Sequence, residues 1–166
     1  MSDGTYQFAR NDSCFFLKLS GALKYTGSAG FDLFLETFSD YFDGRDVLID
    51  LCDAEFLDST NLGLLARIAD RMLRVYDKKT TIVSTNPEIT LLLDNMGFSD
   101  FFIMVAHPEN PVEDLEEIPT LGEKERSMTR MMLDAHRSLI AVNDKNKETF
   151  CNVVDLLEQQ IKEKES

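Results

Sequence analysis

Helix-like and strand-like segments alternate along the first 105 residues, and this alternation limits the fold more than any other feature of the sequence. The chain opens with two strand-like segments, TYQFAR and CFFLKLSGAL, on either side of the turn-forming Asn11-Asp12-Ser13. Three helical patterns follow, and each leads into a short apolar run, namely VLIDLC, TTIVST and FFIMV. This order predicts an α/β fold in which a mixed sheet is covered by helices.

The helices are predicted from apolar side chains that recur every three or four residues. The predicted helices run from Ser28 to about Phe42, from Leu62 to about Asp77, and from Asn86-Pro87 to just before Gly97. The run VLIDLC has the composition of a strand covered on both faces.

The remainder of the chain is predicted to be an extension of this domain. We assign residues 1–106 to the domain and residues 107–122, which hold three of the four prolines and several acids, to a linker without elements. Residues 123–166 carry two helical stripes and are expected to form a helical hairpin. Such a hairpin must dock on the domain, pair with a second copy of the chain, or bind a partner. The methionine stripe at Met128, Met131 and Met132 favours docking or pairing.

Composition excludes several classes of partner. Seventeen basic and thirty acidic residues give a net charge of −13, which repels nucleic acid and anionic membranes. No apolar run reaches the roughly 20 residues that span a bilayer, and MSDGTYQFAR does not resemble a secretory signal. We therefore expect a cytoplasmic protein with a protein partner. The spacing of cysteine, histidine and acidic residues gives no reason to expect a metal or another cofactor.

The segment FLDSTNLGLL places small polar residues between a strand-like and a helix-like run. One interpretation is a helix cap, since Asp, Ser and Thr satisfy the free amides of a first turn. The other is a modification site, because the N-terminus of a helix accommodates a phosphoryl group on Ser59 or Thr60. The sequence leaves both open: Ser59 is either a modification site or only a structural helix cap, and in the second case the chain is a constitutive scaffold or assembly module.

The sequence does not favour an enzymatic function. A serine hydrolase needs a histidine close to Ser59, and we expect His107 and His136 to be surface or interface residues. A phosphate-accepting receiver domain needs an acid pair after its first strand, which CFFLKLSG lacks. No glycine-rich nucleotide loop ending in Lys and Ser or Thr is present.

The runs VLIDLCDAEFLDSTNLGLLARIADRML and TTIVSTNPEITLLLDNMGFSDFF resemble the STAS domain of bacterial anti-sigma factor antagonists over about residues 5 to 106. The resemblance implies partner switching: the unphosphorylated antagonist captures an anti-sigma factor or an equivalent regulator. A serine kinase inactivates the antagonist, and a metal-dependent phosphatase restores it. The C-terminal helices are similar to extensions of antagonists in proteobacterial systems that govern motility and biofilm formation.

The resemblance also implies roles for individual residues. Ser59 is the expected phosphoacceptor, with Thr60 as the second choice, and Asp58 holds the family's aspartate position. The implied partner-binding residues are Lys24, Asp58, Ser59, Thr60, Asn61, Leu62 and Gly63. Two of these depart from the family pattern. Asn61 stands where many members have glycine, which predicts a differently shaped loop, and Lys24 stands where many members have an acid.

Overall fold

The computed structural model of the chain describes residues 1–38, 42–107, 112–119 and 125–165. These residues form a seven-stranded mixed sheet and five α-helices, as the alternating pattern predicts. The strands are β1 (Thr5–Arg10), β2 (Cys14–Leu23), β3 (Asp46–Asp50), β4 (Ala54–Leu57), β5 (Thr81–Val83), β6 (Ile103–Val105) and β7 (Glu116–Glu117). The helices are α1 (Ala29–Phe38), α2 (Ser59–Tyr76), α3 (Pro87–Asn95), α4 (Glu125–Ile140) and α5 (Asp144–Glu165).

The sheet has the strand order β6-β5-β3-β2-β1-β7. The opening hairpin pairs β1 and β2 antiparallel, whereas β2, β3, β5 and β6 run parallel to one another. The last residues of β2 also pair with β4, with Leu23 opposite Leu57. This pairing matters for the site, because it holds the start of α2 against the end of β2.

Helix boundaries follow the capping residues that the sequence shows. The α2 helix ends at Asp77, which takes left-handed backbone angles, and the α3 helix starts after Asn86, whose side chain accepts a hydrogen bond from the Glu88 amide. The first predicted helix is observed as α1. Part of its predicted C-terminal end, residues 39–41, lies outside the described residues, and the Phe42 side chain beyond it is buried.

Two strands were not predicted. The β4 strand is four residues long and includes the charged Glu55, so its sequence has little strand character of its own. The β7 strand lies in the predicted linker and pairs with β1, and the amide of the neighbouring Ile118 donates to the Tyr6 carbonyl oxygen at 2.8 Å. The Ile118 side chain is buried in the core. Residues 116–118 of this segment are therefore attached to the sheet.

The expectation that β3 is covered on both faces is wrong. Val47 and Ile49 are buried, but Leu48 and Asp50 on the other face are half-exposed. They line a concavity together with Phe16 and Lys18 of β2. The helices therefore complete the core on one face of this part of the sheet.

The C-terminal helices form the predicted hairpin, and α4 packs on α2 of the domain. Ala135 and Leu139 of α4 join the main hydrophobic core. The α5 helix packs on the other side of α4 around a separate cluster that includes Leu133, Val154 and Leu157. Among the described residues, no helix combines the length and the apolar character that crossing a membrane requires.

Candidate functional site

Asp58 is the cap of the α2 helix. Its backbone is extended, and one oxygen of its carboxylate accepts a hydrogen bond from the Asn61 amide at 2.9 Å. The Asp58 amide in turn donates to the Leu23 carbonyl oxygen at 3.1 Å. The cap interpretation of the polar segment is thus correct for Asp58. Ser59 is the first helical residue and is not the cap.

The second carboxylate oxygen of Asp58 ties α2 to the segment after β2. The Tyr25 amide donates to this oxygen at 2.5 Å. Tyr25 opens a single 3₁₀ turn, Tyr25–Gly27, which follows the exposed Lys24 and leads into α1. One carboxylate therefore fixes both the start of α2 and the loop that carries Lys24.

Asn61 lies at the centre of a buried polar network below this cap. Its side chain has no solvent exposure, and its amide group donates to Asp58 and to the Ser28 hydroxyl, each at 2.9 Å. The Tyr6 hydroxyl donates to the Asn61 side-chain oxygen at 2.6 Å, and burial raises the pKa of Tyr6 to about 12. The network joins β1, the start of α1 and the start of α2.

Asn61 does not use the left-handed backbone angles on which the predicted change of loop shape is based. Asn61 lies in the first turn of α2, and its φ angle is not positive. Asn61 suits this position because of its side-chain hydrogen bonds and not because of its backbone conformation. Its side-chain amide can donate and accept hydrogen bonds at once. A glycine at this position would leave the hydroxyl of Tyr6 without its shortest hydrogen bond.

Ser59 is half-buried, and its hydroxyl lies against a histidine of the C-terminal hairpin. The distance from Ser59 Oγ to His136 Nε2 is 2.8 Å, and His136 Nδ1 lies 2.6 Å from the Met132 carbonyl oxygen. A carbonyl oxygen can only accept, so Nδ1 carries a hydrogen. In the neutral ring Nε2 is then the acceptor, and the Ser59 hydroxyl donates to it.

His136 lies at an interface rather than at the surface, which is one of the two places predicted for it. Its side chain is 3% exposed and packs edge to face on Phe150 of α5, with ring centroids 5.7 Å apart. It lies at the interface between the hairpin and the domain. Because 77 positions separate Ser59 and His136 in the chain, no local sequence pattern connects them.

The next residues of α2 are enclosed on all sides. Every residue from 60 to 66 is buried, including Thr60 at 2% exposure, Leu62 and Gly63. Gly63 meets the backbone of α4 so closely that a Cβ atom at this position would lie 2.1 Å from the Ala135 carbonyl oxygen. Of these two neighbouring hydroxyl-bearing residues, only Ser59 is therefore partly exposed to solvent.

The predicted site residues divide into an exposed set and a buried set. Lys24 is exposed, and Asp58 and Ser59 are half-exposed, whereas Thr60, Asn61, Leu62 and Gly63 are buried. Two further residues beside the exposed set were missed by sequence reasoning, Tyr25 and Phe56, each 39% exposed. We call these five solvent-accessible residues the Ser59 surface: Lys24, Tyr25, Phe56, Asp58 and Ser59. An exposed aromatic residue has no recognisable sequence signal, because the same residue is usually core.

The contact between Ser59 and His136 has the distance of a nucleophile and its base. The orienting group on the ring is a neutral backbone carbonyl rather than a carboxylate, and α4 and α5 pack around the ring. The concavity beside Phe16 and Lys18 does not include Ser59. Within the described ranges, no three His, Cys, Asp or Glu side chains are grouped closely enough to hold a metal ion. The geometry gives Ser59 the features of a partly accessible, hydrogen-bonded hydroxyl.

A comparison of the chain with known protein families agrees with the observed order of strands and helices. The family model of the STAS domain matches residues 5–115, which is more than half of the chain. The match includes β1 to β6, the cap at Asp58 and the neighbouring Ser59, and it stops before β7 and the hairpin. A comparison with curated proteins finds no match.

Proposed function

Because the chain belongs to the STAS domain family, we propose that it is an anti-sigma factor antagonist controlled by phosphorylation of Ser59. In its unphosphorylated form it binds and sequesters an anti-sigma factor or an equivalent regulator. A serine kinase inactivates it by modifying Ser59, and a metal-dependent phosphatase restores it. The chain is then a binding module and not itself an enzyme, in keeping with the generally non-enzymatic character of this family.

The observation that carries this proposal is the difference between two neighbouring hydroxyl groups. Ser59 is half-exposed at the first position of α2, whereas Thr60 is 2% exposed and faces the interior. A kinase needs access to the hydroxyl that it modifies. The accessible hydroxyl is the one that the family pattern places first after the aspartate.

The surroundings of Ser59 suit a protein contact. Tyr25 and Phe56 expose aromatic side chains, which are enriched at protein interfaces, and Lys24 adds a positive charge on a chain whose net charge is −13. Phosphorylation adds about −1.5 to −2 charges at this surface. An unpaired charge within a desolvated interface costs several kcal/mol, which is orders of magnitude in affinity.

A constitutive assembly module is the second candidate. The sequence-based prediction of such a module takes Ser59 to be the helix cap. That assignment is wrong, because Asp58 is the cap. What favours an assembly role is the outer face of α5, where Val153 and Leu156, three residues apart, are 37% and 56% exposed. A module of this kind would bind the same partners whatever the state of Ser59.

Affinity capture from the lysate of the native host separates the two candidates. The baits are wild type, Ser59→Ala, Ser59→Asp and Ser99→Asp, with captured proteins identified by mass spectrometry. Ser99 is an exposed serine of a short 3₁₀ turn after α3, so Ser99→Asp adds the same charge away from the Ser59 surface. Thermal melts of all four baits establish that each is folded.

The switch predicts a regulator that is captured by wild type, Ser59→Ala and Ser99→Asp, and is lost from Ser59→Asp. A captured set that is the same for all four folded baits would contradict the switch and favour the assembly module.

A further inference from the structure

The hairpin of α4 and α5 covers the helix that begins at Ser59. At Gly63 the two helices touch backbone to backbone, since even a Cβ atom there would lie 2.1 Å from the Ala135 carbonyl oxygen. Residues 60 to 66 are buried although they lie in a helix on the outside of the sheet. A helix that is buried on all faces has a second layer over it, and α4 is that layer.

Polar contacts tie the hairpin to the domain at two separate points. One is the hydrogen bond between Ser59 and His136. The other lies at the hairpin turn, where the side-chain amides of Asn143 and Asn146 donate to the Met96 carbonyl oxygen at 3.3 and 2.9 Å. Met96 is the C-terminal cap of α3, so this contact satisfies a helix-end carbonyl. The first point is on α4, where the His136 ring also packs on Phe150 of α5, and the second is at the turn between the two helices.

The two helices of the hairpin also hold each other independently of the domain. Leu133 of α4 packs with Val154 and Leu157 of α5 in a cluster separate from the main core. Arg137 of α4 pairs with Glu158 of α5 at 2.9 Å. The hairpin can therefore move away from α2 as a unit while α4 and α5 remain paired.

The contact at Ser59 depends on the hydrogen of its hydroxyl. His136 Nδ1 donates to the Met132 carbonyl oxygen, so the ring in its neutral form presents a lone pair at Nε2 to Ser59. A phosphoserine dianion has no hydrogen to donate, and it places negatively charged oxygen beside that lone pair. His136 is 3% exposed, so water cannot readily mediate between the two groups.

We infer that the hairpin reports the phosphorylation state of Ser59: phosphorylation weakens the docking of α4 on α2 and shifts the hairpin toward an undocked state. This inference rests on the proposed function, because it takes Ser59 to be the phosphoacceptor. Undocking exposes the apolar faces of α2 and α4, including Ala135 and Leu139, only in the modified protein. By reciprocity, the free energy of phosphorylating Ser59 is more favourable when the hairpin is undocked.

Hydrogen–deuterium exchange of the full chain tests this inference without any partner. Phosphoserine is incorporated at position 59 during translation, and exchange is compared with the unmodified protein. We expect the amides of residues 128–140 to exchange about tenfold faster or more after phosphorylation, with β2 and β3 unchanged. Equal exchange would overturn the inference. Slower exchange would also overturn it, because it would mean that phosphorylation strengthens the docking of α4.

The variant His136→Ala tests whether the contact between Ser59 and His136 is the cause of the undocking. In this variant the unmodified protein should already exchange faster along α4, and phosphorylation should add less than in wild type. An equal additional effect of the phosphate without the imidazole would overturn the role of the contact between Ser59 and His136.

Gly63→Ala disturbs the docking without altering Ser59. The new methyl group meets the Ala135 backbone, so α4 should exchange about tenfold faster even in the unmodified chain. Gly27→Ala is the matched control, since a Cβ atom at Gly27 meets nothing within 4 Å. If Gly63→Ala and Gly27→Ala both exchange like wild type, α4 is not docked as described and the inference fails.

These results are independent of the test of the proposed function. Faster exchange together with undiminished capture of the regulator would support the inference and refute control of capture by Ser59. Loss of capture with unchanged exchange would refute the inference and leave the proposed function intact.

Discussion

The Nε2 atom of His136 lies 2.8 Å from the Oγ atom of Ser59. This contact joins the C-terminal hairpin to the first residue of α2, which is the expected phosphoacceptor. The hairpin is therefore part of the surroundings of the site, and not a separate appendage. Two other residues set the position of Ser59: Asp58, which caps its helix, and Asn61, which anchors the cap from below.

Removing the cap should destabilise the protein. Asp58→Ala leaves the Asn61 and Tyr25 amides without their acceptor, so the free energy of unfolding should fall by about 0.5 to 2 kcal/mol. Asp58→Asn keeps one acceptor oxygen for the Asn61 amide but places an NH2 group opposite the Tyr25 amide, so its stability should lie between those of wild type and Asp58→Ala. Urea denaturation followed by circular dichroism measures both. Equal stability of wild type and Asp58→Ala would contradict the role of this carboxylate.

Substitutions in the buried network around Asn61 should lower the free energy of unfolding more than substitutions at the exposed surface. Asn61→Ala removes the acceptor of the Tyr6 hydroxyl and a donor to Ser28 and Asp58, and should cost about 1 to 3 kcal/mol of unfolding free energy. Asn152→Ala changes an exposed asparagine of α5 in the same way and should stay within about 0.5 kcal/mol of wild type. Chemical denaturation of the two variants compares them. A similar loss in both would argue against the network.

Tyr6 should make the protein sensitive to alkaline pH. Burial raises its pKa to about 12 from an ordinary value of 10.0, so the folded state holds the phenol proton more tightly than the unfolded state. The resulting stabilisation is fully present below pH 10 and is lost as the pH rises from 10 to 12. It amounts to up to about 3 kcal/mol.

The measurement for Tyr6 is the unfolding free energy from pH 8 to 12. In Tyr6→Phe the slope between pH 10 and 12 should be smaller than in wild type. Tyr25→Phe, which alters an exposed tyrosine, should keep the slope of wild type. If Tyr6→Phe and wild type lose stability in parallel, burial of this phenol does not govern the alkaline transition.

The hairpin turn should loosen when its anchor on α3 is removed. The Asn146 side chain is buried and donates to the Met96 carbonyl oxygen at 2.9 Å. In Asn146→Ala we expect faster tryptic cleavage after the neighbouring Lys145 and Lys147, because a loosened turn opens more often. Asn152→Ala, on the same helix but exposed, is the control. An unchanged cleavage rate would show that Asn146 does not hold the turn.

Much of the fold is predictable because its signals are local. The start of α3 follows from Asn86-Pro87, the end of α2 from the polar cluster at Asp77, and the two hairpins from apolar runs separated by short polar turns. These signals depend on neighbours in the chain, and a single sequence displays them.

The unpredicted features depend on distant parts of the chain. The β7 strand consists of two glutamates and exists because β1 offers an edge to pair with. Asn61 resembles a loop residue until Tyr6 and Ser28 are placed beside it. His136 lies in an otherwise ordinary helical stripe, and its role is visible only when α4 lies on α2. The cap at Asp58 beside Ser59 was predictable, whereas the contact of Ser59 with His136 was not.

The most direct test of the account is the dissociation constant for the captured regulator, measured by calorimetry with unmodified protein and with protein carrying phosphoserine at position 59. If Ser59 controls capture, the unmodified protein binds the regulator and the affinity is at least about a hundredfold weaker after phosphorylation, which corresponds to about 2.7 kcal/mol. Equal dissociation constants for the two folded forms would contradict control by Ser59.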